Sequence, residues 1–166
     1  GLSLSEAMLT LFPGLSDEAK VTMVAAYRST YLEKKISSKD LFADALPALN
    51  KLREMEKTLA IATGKGQTGL DRSLDGTGLR PYFEYLRCAE TMQSKPSPHM
   101  LFDILEESGV NPDKAIMSGD STLDLKMAKN AGVSSIGITT GAHSYEMLSE
   151  HAPVACINNL MELFER

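Results

Sequence analysis

Apolar residues over positions 1–38 recur at helical spacing, and no run there reads as a strand. Ser5 to Leu11 is a short amphipathic stretch ended by Phe12-Pro13-Gly14. Ser16 reads as an N-cap, with Asp17 and Glu18 in the first turn, where the helix dipole favours carboxylates. Val21, Val24, Ala25 and Leu32 carry that helix to about residue 34, and Ser37-Ser38-Lys39-Asp40 follows as a polar linker. Beyond it the pattern alternates between strands and helices. Ala45, Leu46, Leu49, Leu52 and Met55 form one amphipathic helix, and Thr58 to Ala62 is a short apolar run ending at Thr63-Gly64, a buried parallel strand. Leu86 to Ala89 is a second strand, interrupted by Arg87. Ser97 as N-cap and Pro98 at the first helical position open a helix that Gly109 closes. Ala115-Ile116-Met117 is the third strand, and the helix after Gly119-Asp120 ends at Ala131-Gly132. Ser135 to Ile138 and Val154 to Cys156 complete the strands; a short helix at Tyr145–Leu148 lies between them, and Leu160 to Phe164 ends the pattern.

Successive strands stand far enough apart for helical crossovers, so the predicted class is α/β with a doubly wound, mainly parallel, Rossmann-like sheet. Residues 1–38 form a helical segment and 39–166 the α/β unit. Ligands of such sheets bind at the carboxyl ends of the strands, which is where candidate chemistry is sought.

The 166 residues are 43% apolar and 23% charged, which excludes a disordered or collagen-like chain; no apolar run approaches membrane-spanning length. Seventeen Lys and Arg against 22 Asp and Glu leave a net charge of −5, and no basic run exceeds Lys34-Lys35. Nucleic acid and membrane are therefore not expected partners. Cys88 and Cys156 lie far apart in apolar stretches and read as free thiols, which suits a reducing, cytoplasmic setting. The opening Gly1-Leu2-Ser3 and the residues after it have no basic region and no long apolar core, so they do not read as a signal peptide.

Three strand ends carry chemistry. Thr63-Gly64-Lys65-Gly66 offers a hydroxyl and close-approaching backbone N–H groups to a phosphate, although Leu59 stands where a P-loop needs glycine. Its ordinary reading is a strand-to-helix turn with a surface lysine. Ser94-Lys95-Pro96-Ser97-Pro98 holds an ammonium on a rigid turn, where it can face a phosphate or a carboxylate pair; the ordinary reading is an exposed lysine before a helix. In Gly119-Asp120-Ser121-Thr122-Leu123-Asp124 the two carboxylates are four residues apart and can converge on a hard cation such as magnesium. A capping box between Ser121 and Asp124 also explains Asp124, but not Asp120. Hydroxyl, ammonium and paired carboxylates at three strand ends suit phosphoryl transfer.

These segments resemble the haloacid dehalogenase-like hydrolases, in particular the branch of phosphoglycolate phosphatases and β-phosphoglucomutases. Leu59 to Lys65 is similar to that family's second motif, Ser94-Lys95-Pro96 to the third, and Gly119 to Asp124, continued through Gly132, to the fourth. The resemblance implies that Thr63 and Gly64 bind the phosphoryl group and that Lys95 stabilises its charge. It implies further that Asp120 ligates Mg2+ with support from Asp124, and that residues 1–38 are part of a helical cap. The substrate it implies is a small phosphorylated metabolite such as phosphoglycolate or a sugar phosphate.

The family's first motif, Asp-x-Asp at the end of a central first strand, has no counterpart here. The resemblance therefore implies a nucleophile on an N-terminal segment or companion chain outside this sequence, an open edge on two strands, and an inactive chain in isolation. Ser73-Leu74-Asp75-Gly76-Thr77 is similar to that motif but has Ser in the leading position and is read as a turn. A phosphomutase, and a non-catalytic descendant binding a phosphorylated ligand or a protein, are the competing readings. His99 and His151 have no second metal ligand at a suitable spacing, and His143 reads as a solvated loop residue. Most of the nine methionines fall at helical core spacing and read as core filler, and Tyr82, Phe83 and Tyr85 as packing between helix and sheet.

Overall fold

All five expected strands form, but they build two parallel sheets. The computed structural model describes residues 4–165, with Leu32 described for its backbone alone; Gly1 to Ser3 and the Leu32 side chain lie outside the described residues. Strand β1 (Ala60–Thr63) pairs with β2 (Tyr85–Cys88), while β3 (Ile116–Gly119), β4 (Ser134–Ile138) and β5 (Ala155–Ile157) pair in that order. Among the described residues, no strand joins the remaining edges of β1 and β3.

Residues 4–33 form two helices joined by a turn at 12–16. Helix α1 (Leu4–Leu11) packs on α2 (Asp17–Glu33), and the Ser16 hydroxyl accepts the Ala19 N–H at 3.3 Å as the expected N-cap. The linker is more ordered than its polarity suggests: Ser38–Asp40 is a 3-10 turn closed by the Asp40 carboxylate on the Ser37 N–H. Helix α3 (Ala45–Glu54) precedes β1, α4 (Gln67–Thr77) joins β1 to β2, α5 (His99–Ser108) follows β2, α6 (Thr122–Asn130) joins β3 to β4, and α7 (Tyr145–Ser149) joins β4 to β5.

Alternation along the strands places helices on both faces. Ile61 and Leu86 pack with Leu70 and Leu74 of α4, whereas Ala62 and Tyr85 pack with Met100 and Ile104 of α5. Met117 of β3 and Met127 and Ala128 of α6 belong to the α5 cluster, so one helical layer holds both sheets. Met100 and Met127 are 0% exposed, and each contributes about 1.5–3 kcal/mol through burial. Arg87 remains in β2 because its guanidinium pairs with Asp103 and Glu107 of α5.

Several local expectations are corrected. Ser73 to Thr77 is the end of α4 and not a turn, because Leu74 falls one helical turn after Leu70 and both are 3% exposed; the helix stops at Gly78. Helix α5 starts at His99, one residue late, and the Ser97 hydroxyl bonds the His99 ring at 2.6 Å instead of capping. Cys88 is buried but Cys156 only half-buried, and Val154 lies outside β5 at 63% exposed. Met55 and Met147 are exposed, unlike Met8, Met100 and Met127. Tyr85 and Phe83 pack as expected, while Tyr82 donates its hydroxyl to Asn50 at 2.7 Å. Among the described residues, no helix is long and apolar enough to cross a membrane.

Candidate active site

Thr63, Gly64, Lys95, Asp120 and Asp124 all line one cleft of about 1630 Å³, which opens between the two sheets. Thr63 ends β1, and its hydroxyl accepts the Lys65 N–H at 3.2 Å, folding the loop back over the strand end. The Glu90 carboxylate, one loop beyond β2, accepts the Gln67 N–H at 2.7 Å and so satisfies one orphan donor of α4. Lys65 is not a plain surface lysine. Its ammonium donates to the Tyr31 hydroxyl of α2 at 3.0 Å and lies 5.1 Å from the ring centre. That hydrogen bond and the contact with Ser73 hold the Tyr31 phenol below its ordinary pKa.

Lys95 is buried rather than exposed, because its ammonium meets the Asp124 carboxylate at 2.5 Å. Two tethers hold its turn: Asn130 of α6 donates to the Pro96 carbonyl at 3.0 Å, and Ser94 donates to Glu6 of α1. Asp124 is occupied at both oxygens. Oδ1 takes Lys95, while Oδ2 accepts the Ser121 N–H at 3.0 Å and the Ser121 hydroxyl at 2.7 Å. The capping box and the ionic role thus coexist in one residue. Gly119 makes room for it, since a Cβ there would collide with Asp124 Cβ.

Asp120 points its Oδ2 at the Ala142 N–H, 2.9 Å away, and Oδ1 has no hydrogen-bond partner among the described residues. Gly141 is required beside it, because a Cβ would strike the Asp120 carboxylate. His143 is no solvated loop residue: its Nδ1 accepts the Thr122 N–H at 3.0 Å, and its own N–H donates to the Asp120 carbonyl at 3.0 Å. It closes the N-terminus of α6 and secures the Asp120 loop. Sequence reasoning missed this use of His143, and also Tyr31, Glu90 and Gly141. Each acts across more than 20 residues of chain, and no local pattern marks such contacts.

Burial would push the Asp124 carboxyl up, yet the Lys95 charge and the Ser121 donors together hold it below the ordinary carboxylate range. The unfolded chain therefore binds this proton more readily than the folded chain. Stability is expected to fall as pH drops from about 3.9, the ordinary Asp value, toward the lower folded value. Urea unfolding between roughly pH 5 and pH 2 checks this: Asp124→Asn should show a shallower loss than the parent chain, and equal slopes would contradict it.

A hydroxyl, a buried ammonium and hard carboxylate oxygens line one cleft beyond the carboxyl ends of parallel strands, the place where α/β sheets hold their ligands. The chain belongs to the haloacid dehalogenase-like hydrolase family, whose description matches residues 1–138. It is 31% identical over 153 residues to a protein of Dickeya dadantii described as a "Probable phosphatase", covering 90% of this chain and 66% of that protein. It is 29% identical to a phosphoglycolate phosphatase of Vibrio vulnificus (strain YJ016), covering 99% and 72%. The fold matches a haloacid dehalogenase-like hydrolase from Streptococcus pneumoniae with a TM-score of 0.80 at 21% identity, covering 99% of this chain and 76% of that one. The chain thus spans about two thirds of the length of these two curated relatives.

Proposed function

We propose that this chain is part of a magnesium-dependent phosphatase of small phosphomonoesters, phosphoglycolate or a sugar phosphate among them. One observation carries the reading: Thr63 at the end of β1, Lys95 in the loop between β2 and α5, and Asp120 just after β3 wall the same cleft. The names of the relatives from Dickeya dadantii and Vibrio vulnificus support it.

The Thr63 hydroxyl and the Gly64 N–H bind phosphoryl oxygens, and the Lys95 ammonium offsets their charge as it accumulates. Asp124 orients Lys95, because it is itself fixed by Ser121. The donor set fits magnesium: Asp120 offers a hard carboxylate oxygen, and this ion is commonly held by one or two carboxylates with water and phosphate completing its shell. Asp124 acts behind Asp120, since both its oxygens are engaged. Bound there, magnesium would neutralise phosphoryl charge and orient the ester. The phosphoryl group passes from the ester oxygen to the carboxylate of an aspartate outside residues 1–166, the alcohol leaves with a proton, and water then releases phosphate. Residues 1–166 alone are therefore inactive.

Two assays test the reading. Magnesium at about 100 times its dissociation constant should raise the unfolding free energy of residues 1–166 by about 2.7 kcal/mol, and Asp120→Asn should abolish that rise. The complete product of the gene should release phosphate from 2-phosphoglycolate or glucose 1-phosphate with magnesium, and residues 1–166 should not. Absence of both effects would overturn the proposal, and isomerisation of the sugar phosphate without hydrolysis would replace the phosphatase by a mutase.

A further inference from the structure

Asp120 follows β3, and the segment that clasps it follows the neighbouring strand β4. The Ala142 N–H donates to Asp120 Oδ2 at 2.9 Å, and the His143 N–H donates to the Asp120 carbonyl at 3.0 Å. The His143 Nδ1 accepts the Thr122 N–H at 3.0 Å, two residues farther along. Gly141 closes the group from the side, because a Cβ there would stand 2.1 Å from Asp120 Oδ2 and 2.2 Å from Asp120 Cβ. The clasping segment is itself anchored at both ends. Thr139 donates its N–H to the Ile157 carbonyl of β5 at 2.9 Å, and the Ser144 hydroxyl caps α7 by accepting the Met147 N–H at 3.5 Å.

Satisfying an orphan donor of α6 explains only half of what His143 does. Any acceptor could take the Thr122 N–H; the second bond, to the Asp120 carbonyl, is not a capping bond. His143 bonds the chain on both sides of Ser121, so the backbone from 120 to 122 cannot turn without losing one of the two. We propose that His143 is a positioning residue for the magnesium ligand: it fixes the direction in which Asp120 leaves the backbone, and, with Oδ2 held by Ala142, Oδ1 is the carboxylate oxygen kept for the ion. The inference rests on the reading of Asp120 as that ligand. Magnesium demands near-ideal octahedral geometry, so a carboxylate ordered in advance binds it better than one that must be ordered on binding. Groups standing behind a metal ligand typically change affinity by about 10–100-fold.

Calorimetric titration of the complete gene product with magnesium chloride tests this, beside urea unfolding of each variant without metal. His143→Ala should weaken magnesium binding at least about tenfold. His143→Asn should restore most of the affinity, because its amide oxygen can stand near the place of Nδ1 and accept the Thr122 N–H. Gly141→Ala displaces the Asp120 carboxylate with His143 intact and should also weaken binding. Ser144→Ala removes the cap of α7 without breaking a bond to Asp120 or Thr122, and should leave magnesium affinity unchanged while lowering stability. Equal losses of affinity in Ser144→Ala and His143→Ala, or a His143→Asn chain as weak as His143→Ala, would reduce His143 to a contact of the fold and overturn the proposal. If Asp120→Asn abolishes binding while His143→Ala binds like the parent, the positioning role falls and the magnesium reading stands. A parent that binds no magnesium, or an Asp120→Asn chain that binds it equally well, overturns both.

Discussion

Asp124→Ala is expected to destabilise the fold by about 3–5 kcal/mol, a large share of what a domain of this size possesses. The Lys95 ammonium would stay buried with no counter-charge, since its side chain is only 8% exposed and its partner is Asp124 at 2.5 Å. The same change removes the acceptor of the Ser121 N–H and hydroxyl, so the capping box of α6 loses its returning arm while Ser121 still caps the backbone N–H of residue 124. Urea unfolding of four chains separates the two costs: parent, Asp124→Ala, Lys95→Met, and the double variant. Removing the ammonium from the Asp124→Ala background should recover part of the loss, because an apolar pair replaces an unpaired buried charge. If Asp124→Ala costs under about 1 kcal/mol, Lys95 has another anion or water to turn to, and the pair does not organise the site.

Gly119→Ala should be of similar severity, at least about 3 kcal/mol, by a different route. The added Cβ would fall on Asp124 Cβ, a side chain held from three directions and unable to retreat without breaking the Lys95 pair. Overpacking alone costs about 1–3 kcal/mol, and the disturbed ion pair adds to it. Urea unfolding gives the size, and Gly132→Asn is the control: Gly132 has φ 70° and open space around its Cβ, so asparagine tolerates the site. A neutral Gly119→Ala would mean that α6 shifts relative to β3 at little cost.

Secondary structure was readable because its causes are local. Ser16 caps α2, Gly109 ends α5 and the apolar run to Thr63 forms β1 through forces acting within a few residues of each. The candidate residues were legible for the same reason: Thr63, Lys95 and Asp120 each sit beside a strand end that the pattern marks. Where local rules misled, burial was the cause. Ser73 to Thr77 looks like a turn in composition, yet Leu70 and Leu74 need the helix to reach Phe83 and Cys88.

The sequence by itself determined an α/β chain of five short strands, the candidate residues Thr63, Lys95 and Asp120 at or beyond the ends of three of them, and the family to which the chain belongs. Only the tertiary structure decided which groups face one another. Lys95 and Asp124 are 29 residues apart, Lys65 and Tyr31 are 34, and Asp120 rests against Gly141 across a whole crossover. It also decided that the strands stand as two sheets about a common cleft. Periodicity reports what a residue does within its own element; sheet order and side-chain partnership depend on how crossovers return the chain, and that information is spread over the whole molecule.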